Sequence, residues 1–260
     1  MTSYLAAVWR CRYFWMSLVK MDLRPRYRRS VLGMGWSLLH PIAMTTILSA
    51  VFYRVFHQDI SDYAPFLLTG LATWSYLINV TSQGCYCFFQ GESYIRQYPA
   101  PLAIYPLRTA LGGTVHFLFA LLVVLALAWY FKGFGNLPSL VSLVPSLLLL
   151  FVFVWSTAVL AGIANVHFQD TQHLTEVGFQ MLFYATPIMY KAEMLQGSGL
   201  GWLVQYNPLV SILQLIRQPI LEGTIPSFAT FSIAFTTVLV AVLAAGWSLA
   251  RQQRRLIFYL

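Results

Sequence analysis

Residues 109–131 read TALGGTVHFLFALLVVLALAWYF. The run holds no Asp, Glu, Lys or Arg. As a helix it would extend about 34 Å, enough for the roughly 30 Å hydrocarbon core of a bilayer. Its apolar residues fall on every side of the helical wheel, so it is a membrane span and not the one-sided helix of a soluble domain. Past a turn at Lys132, Gly133, Gly135 and Asn136, the stretch 140–166 repeats the pattern. Further out lie 35–56 (interrupted by Pro41) and 64–88 on one side, 177–190 (weakened at its end by Pro187) and 228–250 on the other. Six spans are therefore expected. The composition agrees: 58% of the 260 residues are hydrophobic and only 9% charged, against about 25% charge in soluble domains. A soluble enzyme and a disordered chain are both excluded, and six spans leave no room for a soluble catalytic domain. The predicted fold class is an all-α polytopic membrane protein, forming one transmembrane domain over 1–260.

The connecting segments carry the polar chemistry. In 4–22, Arg10, Tyr13, Ser17 and Lys20 share one helical face and Val8, Cys11, Trp15 and Leu18 the opposite one, the pattern of an amphipathic helix in the membrane interface. Pro25 predicts a turn at Arg24, followed by the cations Arg24, Arg26, Arg28 and Arg29. The segment 90–106 contains Pro99, Pro101 and Pro106, which preclude a long regular helix and leave a short one over 92–98. The segment 191–226 holds Gly197, Gly199 and Gly201, then Asn207-Pro208, which reads as an N-cap followed by the first helical position. Its apolar part, 209–221, would reach only about 20 Å. Charge parity argues that it does not cross. With six spans, twelve of the sixteen Lys and Arg fall on the side of the termini and four (Arg54, Lys132, Lys191 and Arg217) on the other. A seventh span would move Arg251, Arg254 and Arg255 across and leave nine against seven. The positive-inside rule thus predicts cytoplasmic N- and C-termini and a re-entrant or periplasm-facing hairpin at 191–226.

The net charge of +8 is read as membrane topology and not as nucleic-acid binding. No G-x-x-x-x-G-K-[ST], H-E-x-x-H or G-x-S-x-G occurs, so no catalytic residue, metal site or cofactor is expected in this chain. Cys85 and Cys87 read as buried reduced thiols, and His167, Asp170 and His173 as turn and capping residues. His116, the one ionisable group deep in a span, fits a helix–helix hydrogen bond better than a proton relay. Two aromatic groups, Phe52, Tyr53 and Phe56, and Phe179, Phe183, Tyr184 and Tyr190, fit either an interfacial belt or a sugar path. Rival readings are an ion-coupled secondary transporter, which needs mid-membrane carboxylates, and a membrane-embedded glycosyl- or acyltransferase.

Five motifs in order resemble the membrane subunits of ATP-binding-cassette exporters for O-antigen, capsule or teichoic-acid polysaccharides. They are Arg26-Tyr27-Arg28-Arg29-Ser30-Val31-Leu32-Gly33 with Trp36-Ser37-Leu38-Leu39 and Pro41; IRQYPAPLAIYPLR at 95–108; Phe168-Gln169-Asp170; Phe183-Tyr184-Ala185-Thr186-Pro187-Ile188; and Tyr206-Asn207-Pro208-Leu209. The resemblance covers nearly the whole chain. It implies a permease that pairs with a second copy of itself and with two ATPase subunits, which hold the ATP and Mg, in a bacterial inner membrane. It implies that 90–106 is a cytoplasmic coupling segment, with Glu92, Tyr94, Arg96, Tyr98 and Pro99 as ATPase contacts. It makes 191–226 an outer gate marked by Tyr206, Asn207 and Pro208. It promotes Phe52, Tyr53, Phe183 and Tyr184 to channel candidates. The substrate it implies is a lipid-linked polysaccharide. Arg24, Arg26, Tyr27, Arg28 and Arg29 are then candidates to meet its pyrophosphate at the membrane surface, with plain topology retention as the other reading of each arginine.

Overall fold

The computed structural model describes residues 2–28, 35–55, 59–98, 100–133, 136–196, 199–252 and 255–260. Among them the chain is helical, with no strand. The N-terminal pieces are α1 (Thr2–Arg10) and α2 (Arg12–Arg28). The long helices are α3 (Gly35–Val55), α4 (Ile60–Gly84), α6 (Ile104–Lys132), α7 (Leu137–His167) and α12 (Phe228–Gln252). Between them lie α5 (Cys87–Gln97), α8 (Thr171–Ala185), α9 (Glu193–Gln196), α10 (Gly201–Gln205) and α11 (Pro208–Arg217), the last continuing into a π-helical turn, Gln218–Glu222.

Among the described residues three helices, α6, α7 and α12, are long and apolar enough to cross a membrane. α4 is as long as α12 but more polar, and the packing explains why. It runs through the centre of the bundle, buried on nearly all sides between α3, α6, α7 and α11. A helix surrounded by protein needs no lipid-facing leucines, and association between helices in lipid is driven by close packing of small residues. The hydroxyls of α4 bond within the helix: Thr69 to the Pro65 carbonyl at 2.7 Å, Thr73 to Thr69 at 2.9 Å, and Thr81 to Leu77 at 2.8 Å. At its end Gly84 lies against α7, where a Cβ would stand 2.7 Å from the Ala158 Cα. Asn165 of α7 donates to the Cys85 carbonyl at 2.9 Å, serving an acceptor that the helix end leaves open.

Several boundaries differ from expectation. The Pro25 turn is absent: α2 continues through it to Arg28. Proline removes the bond to the Met21 carbonyl, but Met21 is exposed, so that acceptor can be hydrated. Instead the N-terminal helix breaks at Cys11. α3 likewise continues through Pro41. The expected 64–88 helix is observed as α4 ending at Gly84, a corner at Cys85 and Tyr86, and a separate α5 that starts earlier than the expected 92–98. In place of the expected 177–190 span stands α8, a helix shifted toward the N-terminus whose 15 residues reach about 22 Å, short of a bilayer core.

The cations separate along the bundle. Arg96, Arg108 and Arg251 stand at one end with α1, α2 and α5; Lys132, Lys191 and Arg217 stand at the other with α9–α11. These are the basic end and the hairpin end below.

Candidate functional site

At the basic end, α5 is a short amphipathic helix. Cys87, Phe88, Gly91 and Ile95 form its buried stripe, and Gln90, Ser93, Arg96 and Gln97 its exposed face. Gly91 rests on the Tyr105 ring, so close that a Cβ there would overlap it. The helix ends where Tyr98 becomes extended, at φ −137° and ψ 128°, because a residue before proline is pushed out of the helical region. The chain then returns through Ala103, which is held from two sides. Its N–H donates to the Tyr4 hydroxyl at 3.2 Å, and its carbonyl accepts from Trp155 Nε1 at 3.3 Å. Burial raises the Tyr4 phenol above its ordinary value, which keeps it protonated.

α2 closes this end. Asp22 accepts from both Nε and Nη2 of Arg108, near the start of α6. Phe14 meets the Tyr94 ring edge-on at 5.8 Å and the Tyr98 ring at 6.3 Å, and the Tyr94 hydroxyl reaches Met21 Sδ at 3.9 Å. α2, α5 and the starts of the return segment and α6 thus share one apolar cluster with the ends of α7 and α12. The corner between α4 and α5 also touches α8: the Tyr86 hydroxyl donates to Gln172 Oε1, and Gln172 Nε2 donates to Glu176 at 2.9 Å.

At the hairpin end, Asn207 caps α11 by accepting from the Leu209 N–H at 3.0 Å, as the Asn-Pro pair predicts, and donates to the Thr186 hydroxyl at 2.9 Å. Arg217 is buried at 7% exposure. It donates to the carbonyls of Pro187 at 2.5 Å, Ile188 at 2.8 Å and Phe66 at 3.2 Å, with its guanidinium carbon 3.7 Å from the Phe66 ring centre. Beside it opens a polar cleft of about 490 Å³ walled by Asp62, Lys132, Lys191, Gln214 and Glu222. Lys132 pairs with Asp62 at 2.9 Å and donates to the Leu221 carbonyl at 3.3 Å.

The residues expected to contact an ATPase divide by orientation. Glu92 and Arg96 pair with each other at 2.8 Å on the exposed face, and Tyr98 is exposed. Tyr94 turns inward onto Phe14, and Pro99 lies outside the described residues. Arg24 is exposed in the last turns of α2; Arg26, Tyr27 and Arg28 follow it there, with side chains outside the described set, as is all of Arg29. Phe183 packs edge-on against Trp74 at 5.9 Å and against Tyr184 at 5.4 Å, with Tyr184 exposed. Phe52 is half-buried against the core on α3, and the Tyr53 side chain is outside the described residues. Tyr206 is exposed beside the Asn207-Pro208 cap.

Cys85 and Cys87 are buried and unbridged. Asp170 precedes α8 without a side-chain capping bond, and the Thr171 hydroxyl donates instead to the Phe168 carbonyl at 2.5 Å. His167 contacts Gln252 and the Tyr259 ring, and His173 lies 3.9 Å from Glu176. Sequence reasoning missed the Asp22–Arg108 pair, the Tyr86–Gln172 contact and the role of Arg217. The last had a signal: Arg217 is the one charged residue between Glu193 and Glu222, and a charge in so apolar a stretch needs polar partners when it is buried.

The family model described as ABC-2 type transporter matches residues 13–221 of the chain. The O-antigen export system permease protein RfbA of Klebsiella pneumoniae is 27% identical over 229 residues, 86% of each chain. The protein of that name from Myxococcus xanthus is 26% identical over 242 residues, 92% of each chain. The polysialic acid transport protein KpsM of Escherichia coli is 20% identical over 211 residues, 80% of this chain and 81% of that one.

Proposed function

The chain belongs to the ABC-2 type transporter family, and from that premise we propose that it is half of the transmembrane channel of an ATP-driven polysaccharide exporter. Two copies, with two separate ATPase subunits holding ATP and Mg, would move a lipid-linked, O-antigen-like glycan out of the cytoplasm across the bacterial inner membrane. The observation that carries this reading is α5. It is fixed on one face by Tyr105 and α2 and presents Glu92, Arg96 and Tyr98 on the other, as a rigid docking knob for an ATPase requires. Relatives named for O-antigen and polysialic acid transport support the cargo class.

In this reading α3, α4, α6, α7, α8 and α12 are the six spans, α1 and α2 lie in the cytoplasmic interface, and 191–226 is a non-crossing outer hairpin. The clustering of cations at the basic end supports cytoplasmic termini. Seven of the eight carboxylates lie in connecting segments, the N-terminal helix or the first turn of α4, and the eighth, Glu176, lies in the second turn of α8, whereas an ion-coupled transporter would use them mid-membrane. α8 exposes Val177, Met181 and Tyr184, and α3 exposes Leu39, Ile47 and Val51, surfaces suited to face a second copy and the path between them. The test is reconstitution. The chain, co-expressed with its ATPase partner in liposomes, is expected to move an isoprenoid-pyrophosphate-linked glycan in the presence of ATP. Transport driven by an ion gradient without the ATPase would overturn the reading.

A further inference from the structure

α8 has no buried residue. It packs on the bundle through Trp74, whose ring meets Phe179 at 5.6 Å and Phe183 at 5.9 Å, and it is tied at both ends. The ties beyond its C-terminal end are polar and long-range. Within 186–189, the Thr186 hydroxyl accepts from Asn207, the Pro187 and Ile188 carbonyls accept from Arg217, and the Met189 carbonyl accepts from the Tyr63 hydroxyl at 2.9 Å. Asn207 and Arg217 stand at opposite ends of α11, so both ends of that helix are pinned to the same four-residue stretch.

The chemistry of Arg217 suits this place. The chain leaves α8 extended at Thr186, so the carbonyls of Pro187 and Ile188 lie outside the helical ladder and need donors from elsewhere in the fold. A guanidinium offers five donors in a planar fork and can bridge several carbonyls, whereas an ammonium is a point charge. No ion pair among the described residues includes Arg217, so its charge is met by carbonyls and by the Phe66 ring. Space for it exists because residue 70 is glycine: a Cβ there would overlap Nη2.

We propose that Arg217 is a positioning residue that locks the hairpin helix α11 to the C-terminal end of α8, so that the two move as one body. The other end of α8 is held by Tyr86 at the α4–α5 corner. A displacement of that corner is therefore carried along α8 and delivered to the hairpin. That such motion opens an export path rests on the function proposed above; the lock itself does not.

The test is backbone hydrogen exchange on the full-length chain in nanodiscs without ATPase, followed by export in the complex. Arg217→Gln is expected to raise exchange over 186–217 roughly tenfold or more while α6 and α7 keep their protection, the signature of local opening. Arg217→Lys should fall between the two, since one ammonium cannot replace the fork. Tyr86→Phe, which removes only a hydroxyl, should leave hairpin exchange unchanged and lower the glycan exported per ATP hydrolysed. Unchanged exchange in Arg217→Gln, or a uniform rise across all helices, overturns the lock. Wild-type export per ATP in Tyr86→Phe overturns the transmission. Failure of the parent complex to export at all, with the exchange result intact, would count against the transport reading and leave the lock standing.

Discussion

Two ion pairs of similar appearance do different amounts of work at the residue scale. Arg108 is 10% exposed and Asp22 40% exposed, so removing the carboxylate strands a nearly buried cation. Asp22→Asn is expected to cost about 2 kcal/mol, less than a fully buried pair because water reaches the aspartate side. A lowered thermal midpoint and loss of α1–α2 protection would show it. Lys132 and Asp62 are 32% and 54% exposed, and Asp62→Asn should cost under about 1 kcal/mol. Asp22 was one acid among many bases in the sequence; its partner lies 86 positions away, and no local pattern marks such a pair.

α5 at the element scale was half legible. The prolines after it predicted a short helix, and they do end it. Its start was missed because Cys87, Phe88 and Phe89 continue the apolar run of α4, and only the corner at Cys85 and Tyr86 separates the two. Hydropathy cannot see a bend that Asn165 and the packing of Gly84 on Ala158 decide. The two faces of α5 make a paired prediction. Arg96→Glu, on the exposed face, is expected to leave the thermal midpoint in place and to lower ATPase recovery in co-purification at least several-fold. Gly91→Leu, on the buried face, should drive α5 off Tyr105 and lower the midpoint as well. Equal ATPase recovery from Arg96→Glu and the parent would remove α5 from the coupling role.

For the whole molecule, the separation of cations along the bundle becomes a statement about sidedness. In whole cells with the outer membrane permeabilised, a cysteine at exposed Trp202 should react with an impermeant maleimide. One at exposed Tyr98 should react only after the inner membrane is broken. Labelling of both from outside would refute cytoplasmic termini. α12 and α7 were readable from sequence because lipid-facing helices must be apolar almost all round. α4 was harder to place at its ends because a central helix can carry Thr, Ser and Gly at the same depth.

The sequence by itself determined the membrane as solvent, the long apolar helices α6, α7 and α12 and the capped start of α11, because these follow from local hydropathy and turn chemistry. Only the tertiary structure decided which helix lies at the centre, where α4 bends into α5, and that Arg217 closes the hairpin onto the end of α8. Those depend on partners that are scores of residues apart in the chain: Arg217 meets Phe66 across 151 positions and Tyr63 meets Met189 across 126. A buried polar group must find its partner somewhere in the fold, and the identity of that partner is a property of the packed bundle.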